Sequence, residues 1–313
     1  MLARLQKLVV LVLILVSVTW ATLAVRLGHA GWAVTGVAAV MLGYAMFLAL
    51  EFAALRWVQQ ADADGLHAAP RQLLAAWWGE VVTAPRVFFW RQPFRSKAEP
   101  DHLPARGHGR HGVVLVHGFV CNRGLWNPWM QALRGSDIPH VAVNLEPLFG
   151  SIDHYPSIID DAVARVEAAT GRPVVLVGHS MGGLAIRAWL RDFDSDARAH
   201  RVITIGSPHR GTWLARFGQT LNGKQMRIRS PWLMKLALDE PAERFDRFTC
   251  FYGHCDNIVF PTLTGTLPCA LNVHVPGTAH VRMAFHPSVF NEVRRWLGDA
   301  SDSQPAPEEA AAR

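Results

Sequence analysis

Val174-Val175-Leu176-Val177 runs directly into Gly178-His179-Ser180-Met181-Gly182-Gly183, and Leu184-Ala185-Ile186-Arg187-Ala188-Trp189-Leu190 follows with a helical pattern. No other stretch restricts the fold so tightly. Four aliphatic residues in a row suit a strand buried on both faces. The chain must then turn sharply into a helix, so side chains at Gly178 and Gly182 would collide with neighbouring backbone. A serine on such a turn has its hydroxyl pushed out of the sheet. The first amides of the helix aim at the same place, where they favour negative charge. Gly-x-Ser-x-Gly alone arises easily by chance. Between a strand and a helix it is a nucleophile elbow, and it makes Ser180 the candidate nucleophile.

From residue 113 onward apolar strand patterns alternate with helical ones. Strands are expected at 113–117, 141–145, 173–178, 201–205, 247–252 and 271–275, with helices at 126–133, 154–169 and 287–297. That alternation predicts an α/β fold, a mostly parallel sheet with helices on both faces. A serine hydroxyl needs a base, and the resulting imidazolium needs a carboxylate. Both partners are expected in loops at strand ends, acid before histidine. Asp256 lies in the loop after the strand ending at Tyr252, whereas Asp239, Glu240, Glu243 and Asp246 fall in a helical insertion before that strand. His280 follows the last strand, in Pro276-Gly277-Thr278-Ala279-His280. His274 sits inside that strand, His286 beyond the loop, and His254 ahead of the acid. The expected triad is therefore Ser180, Asp256 and His280. The tetrahedral oxyanion needs preset donors. The backbone amides of Met181 and Phe119 are the candidates, with Gly118 admitting the substrate and His117 orienting its loop. Cys121 reads as a small buried hydrophobe.

The first fifty residues are of another kind. Residues 8–25 carry no charge, and neither do residues 27–50 apart from His29. Each run approaches the ~20 residues that a helix needs to cross the hydrocarbon layer. Gly28-His29-Ala30-Gly31 joins them, so they are expected as a transmembrane hairpin; a cleaved signal peptide is the alternative. Arg4 and Lys7 outweigh Arg26 and His29, which places the N-terminus and the catalytic domain on the cytoplasmic side of the cell membrane. The rival is export to the periplasm or beyond, with a Cys255–Cys269 bridge. The net charge of +6 is scattered. No basic run interleaves with aromatics, so no nucleic-acid partner is expected. The division expected is a hairpin at 1–55, a connector and linker at 56–110, a catalytic domain at 111–298 and a disordered tail at 299–313. In the connector, residues 73, 74, 77, 78 and 81 form an apolar face, for a helix lying at the membrane interface or packed on the catalytic domain. His102, His108 and His111 read as linker residues. No Cys-x-x-Cys pattern supports a zinc site.

Five pieces together carry a family resemblance: His117-Gly118-Phe119; Gly178-His179-Ser180-Met181-Gly182-Gly183; Gly206-Ser207-Pro208-His209-Arg210-Gly211-Thr212; Asp256-Asn257-Ile258-Val259-Phe260-Pro261; and Gly277-Thr278-Ala279-His280. With these, residues 113–297 resemble the α/β-hydrolase fold, and bacterial lipases and esterases in particular. With the expected hairpin, the resemblance implies a membrane-anchored serine hydrolase acting on carboxylic esters, of acyl lipids or other apolar esters, with no metal and no organic cofactor. It also implies a small helical cap at about 211–245, whose Trp213, Trp232 and Leu236 would join His117 and Gly118 in binding substrate. An ordinary surface helix pair is the other reading of that insertion. Two alternatives keep the fold: an acyltransferase using the same triad, and a non-catalytic membrane scaffold.

Overall fold

The computed structural model describes residues 1–61, 65–104 and 109–298. The expected tail at 299–313 and His108 lie outside the described residues. Six strands, β1 (Val113–Val116), β2 (His140–Ala142), β3 (Val174–His179), β4 (Ala199–Ile205), β5 (Phe248–Tyr252) and β6 (Leu271–His274), form one sheet in the order β2-β1-β3-β4-β5-β6. Every neighbouring pair is parallel. Side chains alternate across a strand. Val113, Leu115, Val175 and Val177 therefore enter one core, while Val114, Val116, Val174 and Leu176 enter the other. The register sets Val116 beside Gly178, His179 beside Ile205, and Tyr252 beside His274. The carboxyl ends of the inner strands thus open onto one edge, where ligands of such sheets bind.

Ahead of the sheet come α1 (Leu2–Arg26), α2 (Thr35–Ala61), α3 (Pro70–Pro85), a π-helical turn at Arg86–Arg91, and the short α4 (Gln92–Phe94). α5 (Asn127–Gly135), α6 (Pro156–Thr170) and α7 (Met181–Phe193) cover the sheet. α8 (Leu221–Gln225) and α9 (Pro231–Asp239) make the insertion, and α10 (His280–Met283) and α11 (Pro287–Trp296) close the fold. Trp126, Trp129 and Phe290 fill the core on one face, and Ile159, Val163, Leu184 and Ile186 fill the other. All four cysteines are free thiols, with Cys269 exposed and the other three buried.

α1 and α2 are long and apolar enough to cross a membrane, and almost all of their surface is uncovered. Only their bases are docked. Leu48, Phe52, Leu55 and Val58 of α2 are buried, and Phe52 and Leu55 pack with Cys255 and Phe260 of the sheet domain. At the base of α1, Gln6 Nε2 donates to Gln92 Oε1 at 2.7 Å. The connector helix behaves differently from the single apolar face expected of it. Consecutive positions on a helix point about 100° apart, so 73/74 and 77/78 separate. Leu73, Ala76, Glu80 and Ala84 turn inward, while Leu74, Trp78 and Val82 are exposed. α3 is thus packed against the sheet domain along one side only.

Glu240, one rival for the triad's acid, is engaged elsewhere. Arg187 of α7 donates Nε to Glu240 Oε1 at 2.9 Å and Nη1 to the His209 carbonyl at 2.9 Å. Both side chains of the pair are buried, at 1% and 0% exposure. Removing one partner of such a pair strands a buried charge, at a cost of about 3–5 kcal/mol. Arg187→Met should therefore lower the unfolding free energy by about that amount. Arg187→Met combined with Glu240→Leu should recover most of it. Denaturant unfolding in detergent checks this; equal losses in both proteins would show that the charge pairing is not what matters.

Candidate functional site

Ser180 joins β3 to α7 with φ 56° and ψ −128°, a backbone region that side-chain-bearing residues rarely occupy. Its neighbours explain how the turn survives. A Cβ on Gly178 would lie 2.8 Å from the Gly183 nitrogen, and one on Gly182 would strike the Val116 carbonyl. The Ser180 amide donates to the Ile205 carbonyl at 2.8 Å, tying the elbow to β4. The loop after β1 comes in from the other side. A Cβ on Gly118 would sit 2.6 Å from Ser180 Cβ, so only glycine permits that approach. Val120, two residues on, also has a positive φ of 53°. His117 fixes this loop: its Nε2 accepts from the Leu145 amide at 3.0 Å, and its Nδ1 donates to the Gly118 carbonyl at 2.9 Å. Burial pulls its pKa down to about 4, so it stays a neutral clasp.

Asp256 and His280 meet at the ends of β5 and β6. His280 Nδ1 donates to Asp256, at 3.0 Å from Oδ1 and 2.9 Å from Oδ2. Oδ1 also accepts from the amides of Ile258 and Val259, at 2.9 and 2.8 Å, which holds the carboxylate in place. Gly206, with φ +53°, leaves room for the pair: a Cβ there would lie 2.8 Å from Asp256 Oδ2 and 3.0 Å from His280 Nδ1. Burial alone would lower the His280 pKa. The charge and hydrogen bond of Asp256 oppose it, Glu80 and Glu51 add to them, and the net direction is upward. His179 Nε2 donates to the His280 carbonyl at 3.2 Å, and burial keeps that ring neutral. Burial also pushes the Cys121 thiol up to about 11, so it is not a nucleophile at neutral pH.

Ser180 and His280 open into one cavity of about 450 Å³. Phe119 and Val120 form part of its wall. The N-terminal helices supply much of the rest: Tyr44, Phe47, Leu48 and Glu51 of α2, Glu80 and Ala84 of α3, and Phe88 of the π-helical turn. The three expected cap residues are not brought here. Trp213 stacks on Phe260 and meets Trp57 edge-on, Trp232 donates its indole N–H to Asp153 at 2.8 Å, and Leu236 is fully buried. α9 packs against α7, and none of the three residues lines the serine's cavity.

The N-terminal helices also supply polar ties that the expected site did not include. Glu80, 1% exposed, accepts from the amides of Val281 at 2.8 Å and Arg282 at 3.1 Å, the first turn after His280. Asn257 donates to Glu51 Oε2 at 2.6 Å and accepts from the His280 amide at 3.2 Å. Gln59 donates to the His254 carbonyl at 2.6 Å. Glu51 and Gln59 of α2 and Glu80 of α3, polar residues in largely apolar helices, were the available signal for these contacts.

The family model for the Alpha/beta hydrolase family matches residues 113–305. A probable esterase, PIR7A, from Oryza sativa subsp. indica is 30% identical over 135 residues, 40% of this chain and 49% of that protein. The chain thus spans about half the length of the curated relatives it matches. Among solved structures, mature Bacillus licheniformis lipase BlEst2 aligns with a TM-score of 0.52 at 16% identity, over 62% of this chain and 93% of that one. Aspergillus fumigatus lipase B aligns with a TM-score of 0.52 at 18% identity, over 69% and 59%. At those identities the likeness is one of fold.

Glu80→Ala should leave the amides of Val281 and Arg282 buried without acceptors, at about 1–3 kcal/mol each. Glu80→Gln keeps a carbonyl acceptor and should lose less. Thermal unfolding and amide exchange at the two positions compare them. Unchanged exchange at Val281 in Glu80→Ala would show that the carboxylate is not what holds this turn.

Proposed function

The chain belongs to the Alpha/beta hydrolase family, and on that footing we propose that it is a membrane-anchored serine hydrolase cleaving carboxylic esters of apolar acids. The observation carrying this reading is the buried Asp256–His280 pair opening, with the strained Ser180, into one largely apolar cavity. His280 Nε2 takes the Ser180 proton as Oγ attacks the ester carbonyl. The amides of Met181 and Phe119 hold the oxyanion. His280 then protonates the departing alcohol, leaving an acyl-serine. Water attacks that ester with His280 again as base, releasing the acid and restoring Ser180. Asp256 keeps the Nδ1–H tautomer in place and stabilises the imidazolium. The probable esterase that the chain resembles at 30% identity supports this substrate class. The two apolar helices support anchoring, and the excess of Arg4 and Lys7 over Arg26 supports a cytoplasmic catalytic domain.

Ser180→Ala should abolish ester hydrolysis and covalent labelling by a fluorophosphonate. His280→Ala and Asp256→Ala should each lose orders of magnitude, with little further loss when combined with Ser180→Ala. Near-full activity in Asp256→Ala would remove it from the triad. The pH profile has a definite sign. A protonated His280 cannot act as base, so kcat/KM should fall as pH drops through its pKa, which lies above the ordinary histidine value of about 6.5. Glu80→Gln removes one charge favouring the imidazolium and should move that limb to lower pH; a shift upward would contradict the assignment. The exposed thiol of Cys269 tests the membrane side. In intact cells a membrane-impermeant maleimide should leave it unmodified until the membrane is opened, and immediate modification would place the domain outside.

A further inference from the structure

We propose that α2 is itself the wall of an acyl-chain site, and that the chain of a bilayer glycerolipid enters this site sideways from the hydrocarbon layer. The inference rests on Ser180 being the nucleophile. Its first support is the lining: Tyr44, Phe47 and Leu48 of α2 line, together with Phe88 and Phe119, the cavity that contains Ser180. A volume of about 450 Å³ lies within the range of sites that enclose small ligands.

Depth is the second support. The uncharged run of α2 ends at Leu50, and Glu51 is the first charged residue after it. The cavity residues Tyr44 to Glu51 therefore occupy the last stretch of that run, about 10 Å along the helix axis. A helix crossing ~30 Å of hydrocarbon would place this stretch at the boundary with the headgroups. Ester linkages of glycerolipids lie at that boundary, with their acyl chains running back toward the bilayer centre.

Aromatic residues mark the same level independently. Trp77 donates its indole N–H to the Ala45 carbonyl at 2.9 Å, and Tyr44 meets Phe89 edge-on at 5.5 Å. These contacts pin α3 and the π-helical turn beside the last turns of the uncharged run. Trp78 and Trp90, next to those contacts in sequence, are exposed. Exposed tryptophans beside the end of an uncharged run are a usual mark of a membrane interface. Phe47 is both a cavity residue and 59% exposed, so the site borders the surface that lipid would cover.

The test uses the full-length protein and phosphonate probes, which report on Ser180 without requiring turnover. Labelling rates are compared for a long-chain alkyl fluorophosphonate and its ethyl counterpart. In Leu48→Trp, which fills the wall, the long-to-short ratio should fall at least tenfold. Phe88→Trp, also in the lining, is the second variant in case the first does not fold. Trp232→Ser, outside the cavity, should keep the wild-type ratio. A uniform loss for both probes in both wall variants would overturn the acyl site. Labelling with normal chain-length dependence but no ester turnover would instead sink the hydrolase reading and leave the site standing. The route of entry is read in phosphatidylcholine vesicles containing the protein. An oleoyl glycerolipid ester in the same vesicles should be cleaved, while the same ester confined to separate vesicles should not. Equal cleavage of both would overturn lateral entry.

Discussion

The Glu80 carboxylate, buried against the backbone of Val281 and Arg282, ties the two halves of this molecule together. Apolar packing between α3 and the sheet domain is non-directional and would allow the helix to slide. Two hydrogen bonds that one carboxylate accepts from consecutive amides fix its position relative to His280. Gly79 leaves room beside it for the Arg282 side chain. Burial pushes the Glu80 pKa up to about 7, and the amide bonds act against that rise. Glu51–Asn257 and Gln59–His254 repeat the arrangement on α2. Each tie reaches the loops that carry Asp256 and His280.

Those ties matter because the site is held away from relaxed geometry. Ser180 and Val120 both have positive φ, at 56° and 53°, and neither is a glycine. Such conformations cost about 1–3 kcal/mol each and persist only when their surroundings over-determine them. Here the surroundings are close-packed backbone: Gly118 against Ser180, Gly182 against the β1 carbonyls, and His117 clasping its own loop. The strain brings the loop after β1 against the serine, where donors for an oxyanion are needed.

Much of the sheet and its edge was legible in the sequence because the signals are local. Strand ends, the Gly-x-Ser-x-Gly turn and the positions of Asp256 and His280 each show within a dozen residues of chain. The cavity wall was not legible. Glu80 and Val281 are 201 residues apart, and Glu51 and Asn257 are 206 apart, so no periodicity links them. The segment after Gly211 is open to two readings for a related reason. Trp213, Trp232 and Leu236 are apolar enough for a cap, yet composition does not distinguish a cavity wall from a layer packed on α7. In the connector, treating adjacent positions as one face hid the division between buried Leu73 and exposed Leu74.

The same ambiguity applies to α2, and there it has a physical resolution. An uncharged helix reads as lipid-facing because that composition costs nothing in hydrocarbon. A wall that contacts an acyl chain needs that composition as well. One helix can therefore meet both requirements without a separate sequence signature for either. What departs from the pattern is polar: Glu51, Gln59 and Glu80 are costly inside apolar helices unless each finds partners. They find them in the backbone and side chains around His254, Asn257 and His280. The polar exceptions in the N-terminal helices, more than their apolar majority, record where these helices join the cavity that holds Ser180.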